Sequence, residues 1–169
     1  PTDLAEALGG HQVGPGLVRA DHFEGEAVNP WEAELAGLPE AEGVDPWRAL
    51  YLDTETTGLA GGTGTVAFMV GVARAGEEGL TTTQLTLTGM AGEAALLEEL
   101  ASLAAGAEAL VTYNGKRFDL PLLATRFRLH GLADPLSERA HLDLLYPVRR
   151  LFRRRWPDCR LATAEERLL

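Results

Sequence analysis

A single cysteine, Cys159, stands among the 169 residues, so no internal disulfide can form and the chain suits a reducing compartment such as the cytoplasm. It reads as a small apolar residue at a core margin rather than a reactive thiol. No apolar run approaches the roughly 20 residues of a membrane span, and no signal-peptide pattern opens the sequence. The expectation is a cytoplasmic protein without a membrane partner. Lysine is almost missing: Lys116 is alone, and every other cation is arginine. Basic residues are scarce early in the chain. Residues 1–115 hold 3 basic and 18 acidic residues, a balance of -15, whereas residues 116–169 hold 12 and 7, a balance of +5, which together give -10. The total argues against a generic polyanion binder, but the distribution permits local polyanion binding by the last third.

What is present fits one domain, 46% hydrophobic and 24% charged. Residues 1–48 form a leader with little apolar periodicity, expected to pack on the domain as decoration, with His11 and His22 at the surface. Within it, residues 2–8 suggest a helix ended by Gly9-Gly10, and Leu17 to Phe23 a short strand. Asn29-Pro30 opens a helix over Trp31 to Leu38, and Asp45-Pro46 repeats that signal.

Residues 49–169 carry the periodicity of a folded core. Strands are predicted at Ala49 to Glu55, Thr65 to Arg74 and Leu80 to Leu87, the last near a sheet edge, joined by short links into an antiparallel meander. Over Ala91 to Ala105 the period becomes helical: Leu96, Leu97, Leu100 and Leu103 make the apolar stripe, with Glu93, Glu98 and Glu99 off it. A strand at Ala109 to Tyr113 and a helix at Phe118 to His130 follow. His141 to Leu145 is a short strand or helix start, Pro147 opens an arginine-rich helix, and Ala162 begins another that runs to Leu169. This order predicts an α/β fold with a mixed five-stranded sheet, three antiparallel strands and then parallel ones, and helices on both faces. A right-handed crossover would lay the fourth strand beside the first.

Two stretches carry chemistry. In Tyr51-Leu52-Asp53-Thr54-Glu55-Thr56-Thr57-Gly58-Leu59, a strand ends in acids at i and i+2, which project to one face. Two like charges there call for a cation between them, unless they are simply exposed strand-end acids. In Tyr113-Asn114-Gly115-Lys116-Arg117-Phe118-Asp119-Leu120-Pro121, a strand turns into a helix. If the fourth strand neighbours the first, Asp119 comes within reach of the same metal. The plainer alternatives are an Asp119 helix cap and an Asn114-Gly115 turn.

Asp53-Thr-Glu55-Thr-Thr-Gly and Tyr-Asn114-Gly-x-x-Phe-Asp119-Leu-Pro-Leu-Leu, in order and about sixty residues apart, resemble the first two motifs of the DEDD (DnaQ-like) 3'-5' exonucleases, which have a ribonuclease H-like fold. The Gly-Gly-Thr-Gly-Thr after the first motif, and His141-Leu-Asp143-Leu-Leu with its arginine-rich helix and Cys159-Arg-Leu, are similar to YprB-type ribonuclease H-like domains. The resemblance covers about residues 49 to 169 and little of the leader.

It implies metal-dependent hydrolysis of phosphodiester bonds in single-stranded DNA or RNA, by Mg2+ or Mn2+ ions about 3.5 to 4 Å apart. Asp53 would bridge both ions, Glu55 would hold the water-activating one, and Asp119 would complete the second. Thr56, Thr57, Gly58, Leu59 and Asn114 would meet the terminal nucleotide, and Lys116 and Arg117 its phosphates. The third motif, a Tyr or His a few residues before a fourth acid, has no match before Leu169. Asp143 resembles an acid of polymerase-type relatives and stands as an auxiliary catalytic candidate, with a strand-end acid paired to arginine as the plain alternative. The chain is therefore expected to be truncated before that motif, and weak or inactive as it stands.

Two other functions compete. A module that keeps this fold but binds nucleic acid without turnover would need no third motif. An aspartyl-nucleophile phosphatase is the weakest, because Glu55 stands where such sites carry a second aspartate. The run Arg149, Arg150, Arg153, Arg154, Arg155 could track phosphates with Tyr146 and Trp156 stacking on bases, or be a solvated face paired with the acidic part of the chain.

Overall fold

The computed structural model describes residues 2–25, 39–42, 44–58, 64–76 and 78–168. The helix expected over Trp31 to Leu38 and the glycine-rich loop from Leu59 to Thr63 lie outside them. Elements run α1 (Thr2–Ala7), β1 (His11–Gly14), β2 (Leu17–Glu24), β3 (Ala49–Thr56), β4 (Ala67–Gly76), β5 (Gly79–Leu87), α2 (Glu93–Ala104), β6 (Ala109–Thr112), α3 (Asp119–Leu129), β7 (Ala140–Asp143), α4 (Leu145–Phe152) and α5 (Leu161–Leu168). Asp45-Pro46 does begin a turn of 3-10 helix, Pro46–Arg48, with the Asp45 side chain accepting from the Trp47 N–H.

The strands form one mixed sheet in the order β1-β2-β5-β4-β3-β6-β7. β3 is antiparallel to β4 and parallel to β6, and β6 is parallel to β7, so the five core strands have the expected arrangement. The sheet itself is larger. Leader residues 11–24 add a hairpin, and β2 pairs along the whole of β5 from Leu17↔Leu87 to Glu24↔Leu80. β5 is thus an interior strand, not the edge expected from its threonines. Its alternation suited either place, and the partner that decided lay in a segment with weak periodicity.

Alternation along the strands divides the core. Leu50, Leu52, Val70, Val72, Leu85 and Leu110 pack against Leu96, Leu97 and Leu100 of α2 and Leu123 and Phe127 of α3. On the opposite face Ala49, Ala109, Val111 and Leu142 meet Ala41, Val44 and Leu144. α2 and α3 are also joined by charge. Glu93 is buried, against its expected place off the apolar stripe, and its carboxylate pairs with Arg126 at 2.5 Å and His130 at 2.9 Å. Helical periodicity marks a buried position as apolar and so misses one filled by an ion pair.

Candidate active site

β3 and β6 pair only as far as Tyr51↔Val111, and β6 ends at Thr112. Beyond that point β3 continues to Thr56 with no paired strand on that side among the described residues, and its register against β4 shifts between Glu55 and Thr56. The result is a cleft of about 620 Å³ at the carboxyl end of the parallel strands, the usual place for a ligand in such sheets. Asp53 and Glu55 enter it from β3, Asp119 from the first turn of α3, and Asn114 and Arg117 from the turn between β6 and α3.

The acids feel one another. Desolvation against the cleft wall raises the Asp53 carboxyl above its ordinary range, and the charges of Asp119 and Glu55 push the same way, although the residue as a whole is exposed. Asp119 is buried, which raises its carboxyl too; hydrogen bonds from the Thr54 hydroxyl and the Asp119 and Thr54 backbones offset part of this. Thr54 points away from its neighbours Asp53 and Glu55, as strand alternation requires, and donates its hydroxyl to Oδ1 of Asp119. Asp119 therefore does not cap α3 by itself. It is the first helical residue, where the helix dipole favours a negative charge.

The turn that carries Asn114 is gripped from β7. Asp143, 1% exposed, accepts three backbone N–H groups: Asn114 at 2.7 Å, Lys116 at 3.0 Å and Leu145 at 3.1 Å. It thus holds the turn on one side and opens α4 on the other, and pairs with no arginine among the described residues. Two positions on from β6, Asn114 adopts a left-handed conformation with φ of 68°, which asparagine tolerates better than most residues. Gly115 lies so close to Thr112 that a Cβ would stand 2.5 Å from the threonine hydroxyl. That hydroxyl accepts from the Gly115 N–H at 3.2 Å and contacts Nε2 of His141 at 2.9 Å. Burial, and then the Lys116 charge, lower the His141 pKa.

Of the residues singled out in the sequence, the cleft gathers Asp53, Glu55, Asp119, Thr56, Gly58, Asn114 and Arg117. Lys116 points elsewhere, over the Tyr146 ring at 5.6 Å, and Asp143 lies behind the turn. Thr57 does not line the cleft; its hydroxyl accepts from the Val66 N–H at 3.1 Å. Leu59 is outside the described residues. Sequence reasoning missed Thr54, whose only signal was its place between two acids, and Phe118, an aromatic residue 50% exposed on the cleft wall. The donor set is of carboxylates, Asp53 raised by desolvation and by its neighbours' charges and Asp119 by burial, and carboxylate oxygens are the ligand type that hard divalent cations take. Among the described residues, however, no group of three or more His, Cys, Asp or Glu side chains converges as a metal site would require.

Comparison with known proteins agrees with the architecture. The family profile described as the RNase_H superfamily matches residues 50–169. The uncharacterized protein YprB of Bacillus subtilis (strain 168) is 36% identical over 143 residues, 83% of this chain and 34% of that protein. The chain therefore spans about a third of the length of this relative.

Proposed function

The chain belongs to the RNase H superfamily, and on that premise we propose that it is the nuclease domain of a metal-dependent enzyme that hydrolyses phosphodiester bonds from the 3' end of single-stranded DNA or RNA. The observation that carries the reading is the meeting of Asp53, from the free end of β3, with Asp119, from the start of α3, in one cleft where each carboxyl is raised.

Asp53, Glu55 and Asp119 would hold Mg2+ or Mn2+, which when bound would polarise a phosphoryl oxygen and lower the pKa of a bound water. The chain's own groups do the rest. Thr54 holds the Asp119 carboxylate by its hydroxyl. Asn114, fixed by Asp143, and Arg117 face the strand's backbone, and Phe118 offers a ring to the terminal base.

A second reading, a module that binds nucleic acid without turnover, is favoured by one observation: the described acids do not converge as a set of three. A 3'-labelled oligonucleotide assayed with Mg2+ or Mn2+, on this chain and on a longer one, separates the two. Metal-dependent shortening by the longer chain that is lost in Asp53→Ala supports the nuclease; binding indifferent to EDTA with no shortening supports the module.

A further inference from the structure

We infer that the exposed face of α4 is a track for the phosphates of a single-stranded polynucleotide, leading away from the cleft. The inference rests on the reading that the cleft receives a polynucleotide end. Tyr146, Arg149, Arg150 and Arg153 stand at i, i+3, i+4 and i+7, so they share one face of the helix, and Arg153 keeps helical backbone angles of -55° and -22°. The positions on either side of Tyr146, Leu145 and Pro147, are buried and seat the helix. From Tyr146 to Arg153 the stripe is about 10 Å long at the helical rise per residue, enough for about two successive phosphates of an extended strand.

The stripe begins beside the turn that carries Asn114 into the cleft. Lys116, in the turn held by Asp143, lies 5.6 Å over the ring of Tyr146, which is itself 42% exposed. Trp156, the other candidate ring for stacking, is stacked on Phe152 at 4.1 Å, and the Arg167 guanidinium lies 5.9 Å from its ring centre. Tyr146 is thus the ring left for a base.

Charge pairing within the protein does not explain the stripe. Arg150 has an ion pair with Glu40 at 3.0 Å, while Arg149, Arg153, Arg154 and Arg155 are exposed and form none among the described residues. Like charges at i, i+3 and i+4 destabilise a helix, and the helix dipole is satisfied by one or two cations at its end. Arg149 and Arg153, without an ion pair among the described residues, and Arg150, whose exposed pair with Glu40 is open to exchange, fit a row of phosphates taken bidentately. Its start beside the turn that carries Asn114 and Arg117 into the cleft, and a part-exposed ring at its head with Lys116 over it, favour a nucleic-acid strand over a lipid surface or an acidic protein.

The test is anisotropy of a labelled oligothymidylate of about ten nucleotides, in EDTA, across a series of salt concentrations. Replacing Arg149, Arg150 and Arg153 together by Gln should lower the slope of log affinity against log salt by about 1.4, at roughly 0.7 for each of about two phosphate contacts on a single strand. The corresponding Arg→Lys triple should keep the slope. Tyr146→Ala should weaken binding about fivefold or more. An unchanged slope and affinity in the Gln triple, a dinucleotide that binds as tightly as the longer strand, or stronger binding to phosphatidylserine vesicles than to the oligonucleotide would overturn the track. The two proposals fail separately. If the longer chain shows no metal-dependent cleavage but the Gln triple loses the slope, only the nuclease reading falls; if cleavage needs Asp53 and the slope is unmoved, only the track falls.

Discussion

The carboxylate of Asp143 accepts the backbone N–H of Asn114 at 2.7 Å, tying the end of β7 to the turn that delivers the second acid motif. Its other bonds, to Lys116 and Leu145, make one buried side chain responsible for the turn and for the start of α4. Asp143→Ala would strand three N–H groups, so a loss of about 3 kcal/mol or more is expected. Asp143→Asn keeps an acceptor oxygen for Asn114 and Leu145 and should cost roughly half as much. Urea unfolding of both variants measures this; equal, small losses would show that the carboxylate does not organise the turn.

Asn114 itself can be separated into backbone and side chain. Its φ of 68° is available to glycine without strain, so Asn114→Gly should fold normally while Asn114→Ala should lose about 1 kcal/mol. If the side chain contacts a nucleotide, both variants weaken oligonucleotide binding alike; if only the turn matters, Asn114→Gly binds as the parent does.

Much of this was legible before any coordinates. Asp53 and Glu55 announce themselves because strand alternation is rigid, and Asp119 because a proline in the first helical turn marks where α3 begins. Asp143 was visible as an acid but not in its role, since its partners are backbone N–H groups that have no identity in the sequence. β2 was expected as the short strand from Leu17 to Phe23, but β1 and the hairpin it forms escaped because half of the hairpin's residues are exposed and its apolar pattern is short. Glu93 escaped for the opposite reason. Its partner Arg126 lies thirty-three positions away, on another helix.

That pair should control acid stability. Burial alone would raise the Glu93 carboxyl, but the hydrogen bonds and charges of Arg126 and His130 hold it below the ordinary glutamate range. A depressed carboxyl stabilises the fold fully above its unfolded pKa, and the contribution is lost as pH falls through the folded one. Glu93→Gln removes the carboxylate charge that faces the buried Arg126 guanidinium and should cost about 3 kcal/mol at neutral pH. The difference from the parent in denaturant midpoint should narrow on acidification below the carboxylate range. A gap independent of pH would mean that packing, not charge, is lost.

Asp53 carries the opposite sign. Its carboxyl is raised by desolvation and by the charges of Asp119 and Glu55, so at neutral pH the ionised side chain strains the folded state. As pH falls through the raised pKa the folded protein takes up a proton before the unfolded chain does, and the penalty disappears. Asp53→Asn should therefore raise Tm at neutral pH, with the gain shrinking toward the ordinary aspartate pKa. A divalent cation should do the same to the parent by neutralising the cluster, raising Tm with Mg2+ or Mn2+ and little with Na+ at matched ionic strength, and Asp53→Asn should respond less. Calorimetry over pH, with and without metal, reads both effects. If Asp53→Asn lowers Tm at neutral pH, the acids do not oppose one another in the cleft, and the case for a cation between them goes with it.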